Sequence, residues 1–284
     1  MKIMVTGYSG QLGYDVVQRG KALGFDMYGS STADLDITIE SDVVEYIDLV
    51  KPDAIIHCAA YTAVDRAEDD REACWHVNVN GTKHLAAAAQ RVGAKLMYIS
   101  TDYVFNGQGE VPFDEGDAPS PINYYGLTKY EGEKYVQESI ETHFIVRVSW
   151  VFGSNGNNFV KTMLRLAETR EELNVVGDQW GSPTYTLDLA RLLLDMVQSD
   201  KYGTYHASNE GFCNWAEFAR EIFWTTEKNV KVNSIATEQY PTRAVRPRNS
   251  CMSKKKLVDH GFVPLPSWQD AVARYTNQLL HNQK

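Results

Sequence analysis

Lys2-Ile-Met-Val-Thr-Gly7-Tyr-Ser-Gly10-Gln-Leu-Gly13 is the stretch whose reading decides the fold. Residues 2 to 6 are apolar and β-branched, as a strand buried on both faces of a parallel sheet requires. A helix through Val16, Val17 and Leu23 is expected next. Between strand and helix, glycines permit a tight bend and a close approach of backbone N–H groups to a pyrophosphate, which the positive end of the helix also favours. The spacing Gly7-x-x-Gly10-x-x-Gly13 differs from the Gly-x-Gly-x-x-Gly of other dinucleotide-binding enzymes. Its position between a first strand and a first helix is the context that gives it meaning.

Working outward, the same alternation continues. Phe25 to Gly29 reads as a second strand ending at Ser30-Ser31. An acidic residue there would hold the adenine ribose 2′-hydroxyl and repel a 2′-phosphate, whereas small hydroxyl residues admit the phosphate, so this end leans to NADPH. No arginine stands there, and Asp34 or Asp36 can reach in from the next loop, which leaves NADH open as the alternative donor. Asp36-Ile37 is a candidate adenine contact, with helix-entry capping the equal alternative for the aspartate. A helix from about Ser41 to Lys51 leads into a third strand, Asp53 to Cys58, in which His57 reads as a packed residue. Ala59, Ala60 and Tyr61 follow it, and small residues past a strand end leave room for a dinucleotide. Residues 72 to 92 carry a helical pattern interrupted at Asn78 to Thr82, and a fourth strand, Lys95 to Ile99, ends in Ser100-Thr101-Asp102-Tyr103-Val104-Phe105.

Tyr125-Gly-Leu-Thr-Lys129 then places a tyrosine and a lysine on one face of a helix. A phenol titrates near ~10 in water and an adjacent ammonium favours the phenolate, so Lys129 is expected to lower Tyr125 and fit it for proton exchange. Alone, this spacing is common as packing plus a solvated charge. Its weight comes from the hydroxyl at the end of the fourth strand: Thr101, with Ser100 second, is placed to hydrogen-bond the oxygen that the tyrosine protonates.

Taken together, these features resemble the extended branch of the short-chain dehydrogenase/reductase superfamily, which acts on nucleotide sugars, and within it the dTDP-4-dehydrorhamnose reductase family. The likeness is carried by residues 7–13, Ser100-Thr-Asp-Tyr-Val-Phe105, Tyr125-Gly-Leu-Thr-Lys129, Arg147-Val-Ser-Trp-Val151, Gly156-Asn-Asn-Phe159, Asp178-Gln-Trp-Gly-Ser-Pro-Thr184 and Arg246-Pro-Arg-Asn-Ser250. They run in order over nearly the whole chain. The resemblance implies that Tyr125 donates a proton to a sugar ketone as hydride arrives from a nicotinamide, that Lys129 also holds the nicotinamide ribose, and that Thr101 polarises the carbonyl. It places Gly10, Gln11, Leu12, Asp36, Ile37, Ala60, Tyr61 and Thr62 at the cofactor, and Thr101, Asp102 and Trp150 at the sugar nucleotide. Related dehydratases carry a glutamate directly after the aspartate of this strand end. Tyr103 stands there in this chain, which speaks against dehydration. The implied reaction is reduction of the 4-keto group of dTDP-4-dehydro-L-rhamnose, for rhamnose and surface polysaccharide. An epimerase of the same superfamily and a non-catalytic regulatory subunit are the alternatives, and the presence of Tyr125 and Lys129 lowers the second.

Further along, Phe144 to Val148 reads as a strand leading to Trp150, which either stacks on a sugar face or fills a core. Helices are expected from Asn157-Asn158-Phe159 onward, over Leu187 to Val197, over Asn214 to Thr225 and over Trp268 to Leu280. Asp178 to Thr184 reads as a loop and Tyr202 to Ser208 as a strand. Trp215, Phe218, Ile222 and Phe223 fall on the packing side of their helix and read as core. Arg243, Arg246 and Arg248 either grip a substrate diphosphate or lie on the surface, with Arg246 carried forward as the candidate, and Lys254 to Lys256 reads as solvated surface.

The expected fold is α/β: a doubly wound, Rossmann-type parallel sheet with a smaller C-terminal substrate-binding lobe. Residues 1–153 form the dinucleotide-binding domain with the catalytic helix, and residues 154–284 mainly the lobe, with segments returning to the body. A net charge of -9 leaves no overall basic field for phosphate backbones, so no nucleic-acid partner is expected. Four cysteines fall singly, without Cys-x-x-Cys or clustered histidines, so neither a metal site nor a disulfide framework is indicated. The chain opens directly on a strand and no segment approaches ~18 uninterrupted apolar residues, which predicts no membrane span and a cytoplasmic protein. The expected partner is a small-molecule nucleotide sugar, with a homodimer left open.

Overall fold

The computed structural model describes residues 1–281. The chain begins with β1 (Lys2–Thr6), α1 (Gln11–Ala22), β2 (Asp26–Ser30), α2 (Glu40–Val50) and β3 (Ala54–His57). Two short helices, α3 (Val64–Ala67) and α4 (Arg71–Trp75), lead through a π-helical turn at His76–Gly81 into α5 (Thr82–Val92) and β4 (Lys95–Thr101). Then come α6 (Tyr124–Ser139), β5 (His143–Val148), β6 (Val151–Phe152), α7 (Phe159–Leu166), β7 (Glu172–Val176), β8 (Trp180–Gly181), β9 (Thr184–Tyr185) and α8 (Thr186–Val197). β10 (Gly203–His206), β11 (Cys213–Asn214), α9 (Trp215–Thr225), β12 (Lys231–Ile235), α10 (Lys255–Asp259) and α11 (Trp268–His281) complete it.

Six strands form one parallel sheet in the order β10-β5-β4-β3-β1-β2. Successive strand residues point to opposite faces. Ile3 and Val5 therefore join Val16, Val17, Leu189 and Leu193 of α1 and α8, while Met4 between them joins Val43, Ile47, Leu85 and Ala89 of α2 and α5. Both faces of β1 are covered, which is why its run is continuously apolar. Each such aliphatic side chain contributes about 1.5–3 kcal/mol on burial. β1 has β2 on one side and β3 on the other, so the crossovers reverse direction there, and in open α/β sheets a ligand crevice forms outside the strand ends at this point.

A separate cluster containing Phe152, Val160, Leu173, Phe218, Trp268 and Tyr275 holds α7, α9, α11 and the two-stranded pairs β6-β9 and β7-β12 together as a smaller lobe. Three sequence expectations need adjustment. β4 runs on through Thr101, because Ser100 and Thr101 still pair with Arg147 and Val148 of β5. The segment read as a loop at 178–184 contains β8 and the start of β9. Lys254, read as solvated, is buried with its Nζ 4.6 Å from the centre of the Phe212 ring, and Lys256 donates to the Thr204 carbonyl at 2.8 Å. Among the described residues no helix is long and apolar enough to cross a membrane.

Candidate active site

Along the C-terminal ends of β1, β2, β3 and β4 lies a cavity of 860 Å³, within the ~300–1,000 Å³ usual for ligand clefts. Its first wall is the loop after β1. Gly7 has φ +72°, and a Cβ there would lie 2.7 Å from the Ala59 nitrogen. A Cβ on Gly13 would lie 2.4 Å from the Gly7 carbonyl oxygen, so a larger residue at either position breaks the turn. Gly10 is the N-cap of α1 and supplies no side-chain cap, which leaves first-turn N–H groups for an anion. This cradle fits a dinucleotide pyrophosphate. Gln11 and Leu12 also line the cavity, but the Gln11 Oε1 is committed to the lobe, accepting from Gly153 N at 2.9 Å and Asn158 Nδ2 at 3.0 Å.

At the end of β2, Ser31 is not a free hydroxyl. Its backbone N and Oγ both donate to Asp34 Oδ2, at 2.9 and 2.7 Å. Asp36 lines the cavity with Ile37, and its Oδ1 accepts from Thr38 N and Oγ1, so it also stabilises the entry turn. Past β3, Ala59, Ala60, Tyr61 and Thr62 line the cavity. Asn78 fixes this segment from the π-helical turn: its Oδ1 accepts from Tyr61 N at 2.8 Å and its Nδ2 donates to Tyr61 O and to Thr128 Oγ1 of α6. His57 lies buried between the hydroxyls of Thr6 and Thr82. Burial drives it down to about 3, so it is a neutral packed residue.

The opposite wall is α6. Asn123 caps it, its Oδ1 accepting from Gly126 N at 2.8 Å. A Cβ on Gly126 would sit 2.1 Å from the Tyr103 carbonyl oxygen, and this contact sets Tyr125 against the end of β4. The rings of Tyr125 and Tyr103 meet edge to face at 5.7 Å. Lys129 is buried one turn on, its Nζ 4.0 Å from the centre of the Tyr98 ring. The electrostatics correct the sequence expectation. Burial first, and the Asp102 carboxylate second, push the Tyr125 hydroxyl well above its ordinary range, with Thr101 opposing. Lys129 is not among the groups that move Tyr125 most, and burial brings Lys129 itself down to about 7, with Glu133 opposing.

Between these walls, Thr101 Oγ1 donates to Asp102 Oδ1 at 3.0 Å and accepts from Tyr103 N at 3.2 Å. Ser100 and Asp102 line the cavity, and their Oγ and Oδ2 are buried and, among the described residues, without a hydrogen-bond partner. Burial pushes Asp102 up to about 6, against the pull of Ser250, whose hydroxyl lies near without hydrogen-bond geometry, of the Thr101 hydroxyl and of the Arg246 guanidinium.

Trp150 lines the cavity from the lobe side with a left-handed backbone, φ 47°, a conformation that costs ~1–2 kcal/mol outside glycine. Its ring is packed, as one of the two sequence readings had it: it is stacked on Trp215 at 3.7 Å and lies against the core of the lobe. Trp215 itself, read as core, lines the cavity. It is the first residue of α9, just past the Asn214 cap, and its ring lies between Trp150 and the Phe159 and Phe218 rings of the lobe core. Of the three arginines only Arg246 reaches the cavity, donating to Tyr103 Oη at 2.9 Å and to Asp65 Oδ2 at 2.5 Å. Arg243 and Arg248 make exposed ion pairs with Asp69 and Glu238. Every site residue expected from the sequence lines this one cavity, and Tyr103, Gly156, Asn157 and Trp215 were not foreseen there.

The chain has close counterparts. A family model described as RmlD substrate binding domain matches residues 1–281. Spore coat polysaccharide biosynthesis protein SpsK of Bacillus subtilis strain 168 is 37% identical over 277 residues, covering 98% of this chain and 97% of that protein. The dTDP-4-dehydrorhamnose reductase of Escherichia coli strain K12 is 38% identical over 294 residues, covering 98% of each. The crystal structure of dTDP-4-dehydrorhamnose reductase from Bacillus anthracis strain Ames in complex with NADP is 44% identical and matches with a TM-score of 0.95, over 98% of this chain and 100% of that one. A match of this length takes in the glycine loop, α6 and the lobe alike, and the chain belongs to the RmlD substrate binding domain family.

Proposed function

We propose that this chain reduces the 4-keto group of dTDP-4-dehydro-L-rhamnose to give dTDP-L-rhamnose, with NADPH as the reductant, in the supply of rhamnose to surface polysaccharide. The observation that carries this is the joint presence of Tyr125, Lys129 and Thr101 on a cavity that begins at a glycine loop, in a chain matched to this family from end to end.

NADPH, when bound, supplies the hydride. The loop from Gly7 to Gly13 and the open first turn of α1 would hold its pyrophosphate, and Asp36, Ile37 and residues 59–62, which line the same cavity, would border the adenosine and ribose. The chain's own residues handle the proton. Reduction needs an acid that is protonated before the step, and the upward push on Tyr125 keeps it so through neutral pH. Lys129 then stabilises the phenolate left behind and holds the nicotinamide ribose. Thr101 turns its hydroxyl proton from Asp102 Oδ1 to the ketone oxygen, and the partnerless oxygens of Asp102 and Ser100 accept from sugar hydroxyls. Trp150 borders the sugar and Arg246 the diphosphate, where a guanidinium gives bidentate contacts.

The test is loss of reduced-nicotinamide absorbance when the purified protein meets NADPH or NADH and dTDP-4-dehydrorhamnose. Sugar-dependent oxidation is expected, faster with NADPH. Purification with a tightly held oxidised cofactor and no net oxidation would instead point to an epimerase.

A further inference from the structure

Lys129 is not the last buried charge on α6. One turn further along the same face, Glu133 is fully buried, and Arg147 of β5 grips both its oxygens: Nε to Oε1 at 2.9 Å and Nη2 to Oε2 at 2.7 Å. A bidentate pair fixes the carboxylate in place. It also carries a desolvation cost, and apolar residues of similar volume often fill such a space with equal or greater stability. Stability alone therefore gives no reason for this pair.

Its position supplies one. Lys129 is faced by Tyr125 and Glu133 on its own helix, by His57 at the end of β3 and Cys58 just past it, by Cys74 of α4 and by the ring of Tyr98 on β4. Burial keeps His57 neutral and raises both thiols, Cys58 to about 12. Asp102 acts on Tyr125 from the end of β4. On the far side of Arg147, His206 lies 3.5 Å from Nη1 and is also held neutral by burial, so it does not compete for Glu133. Glu133 is the carboxylate that supports the Lys129 ammonium against burial.

We propose that Glu133, held by Arg147, is a positioning residue for the reaction, its carboxylate keeping the Lys129 side chain charged as Tyr125 gives up its proton. This rests on the reading of Tyr125 and Lys129 given above. Its consequence is a line of three groups along α6, each one turn from the next, in which the charge of the third sets that of the second.

The experiment is the pH dependence of kcat/KM for wild type, Tyr125→Phe, Glu133→Gln and the double variant Glu133→Gln/Arg147→Met. In Glu133→Gln a lone Arg147 cation replaces a neutral pair, so the alkaline limb is expected to move down by about one pH unit or more. In the double variant the site carries no charge, and its limb is expected between that of Glu133→Gln and wild type. An unmoved limb, or one moved up, in the variants that fold overturns the proposal, whatever happens to their melting temperatures. If only the double variant folds, a limb level with wild type overturns it. Near-normal turnover in Tyr125→Phe would instead remove the catalytic reading beneath it.

Discussion

Replacing Asp102 by asparagine keeps the side chain's shape and removes its charge. In the folded protein burial holds Asp102 at about 6, against an ordinary 3.8. A carboxyl raised on folding takes up protons more readily folded than unfolded, so its ionisation destabilises the fold. The penalty is fully present above about 6 and disappears as pH falls toward 3.8. At full ionisation the gap corresponds to about 3 kcal/mol. Between about pH 8 and about pH 4.5, where the unfolded carboxylate is still mostly charged, about 2 kcal/mol of it is expected to vanish. The amide brings a cost of its own, because Oδ2 has no partner and an Nδ2 in its place would be a buried donor without an acceptor. That cost is the same at both pH values. The informative quantity is thus the difference in unfolding free energy between Asp102→Asn and wild type, measured by urea titration at each pH. The variant is expected to gain about 2 kcal/mol on wild type on going from the acid to the alkaline condition. A difference that stays constant with pH would refute the assignment of a raised, destabilising carboxyl to Asp102.

Tyr125→Phe is expected to keep NADPH affinity, read by fluorescence titration, while turnover falls about a hundredfold or more. Near-normal turnover would reject Tyr125 as the acid. Gly126→Ala drives a methyl group into the Tyr103 carbonyl, a backbone contact that α6 relieves only by shifting. We expect about 1–3 kcal/mol of lost stability and a loss of turnover larger than the loss of NADPH affinity, checked by unfolding and steady-state kinetics. Arg246→Ala is expected to raise the KM for the sugar nucleotide about tenfold without changing that for NADPH. Arg243→Ala, which removes an exposed ion pair with Asp69, is expected to leave both constants in place.

How much of this was legible in the sequence depended on how local each feature's cause is. β1 could be read because a strand covered on both faces must be apolar at every position, and Ile3, Met4 and Val5 meet that demand without reference to the rest of the chain. The glycine loop and the Tyr125 helix were readable for the same reason, since their spacing is set by one turn of backbone. Trp215 packs on the lobe core as its helical phase with Phe218 and Ile222 predicts, and only the third dimension shows that its ring also lies on Trp150 at the cavity. Lys254 stands in a run of three lysines, and nothing nearby in sequence announces that Phe212 will cover it. The three arginines are equivalent on paper; what separates Arg246 is that Tyr103 and Asp65, far off in sequence, converge on it at the cavity edge.

The same distinction explains why the position of the Tyr125 and Lys129 pair was legible while the sign of its effect was not. Spacing follows from helix geometry, but the direction of a proton shift follows from how much water is lost at each group, and that is a property of the closed fold. Burial raises the phenol and depresses the amine together, so each is nearer to its neutral form than in water. For a reduction this is the useful order. Tyr125 enters the step holding the proton that the product oxygen needs, and the demand for positive charge arises only afterwards, when a phenolate remains. A buried Lys129 with a value of about 7 meets that demand only if something nearby favours its ammonium, and on α6 that group is Glu133. Tyr125 is thus held protonated by burial and by Asp102, while the readiness of Lys129 to meet the phenolate depends on the carboxylate one turn behind it.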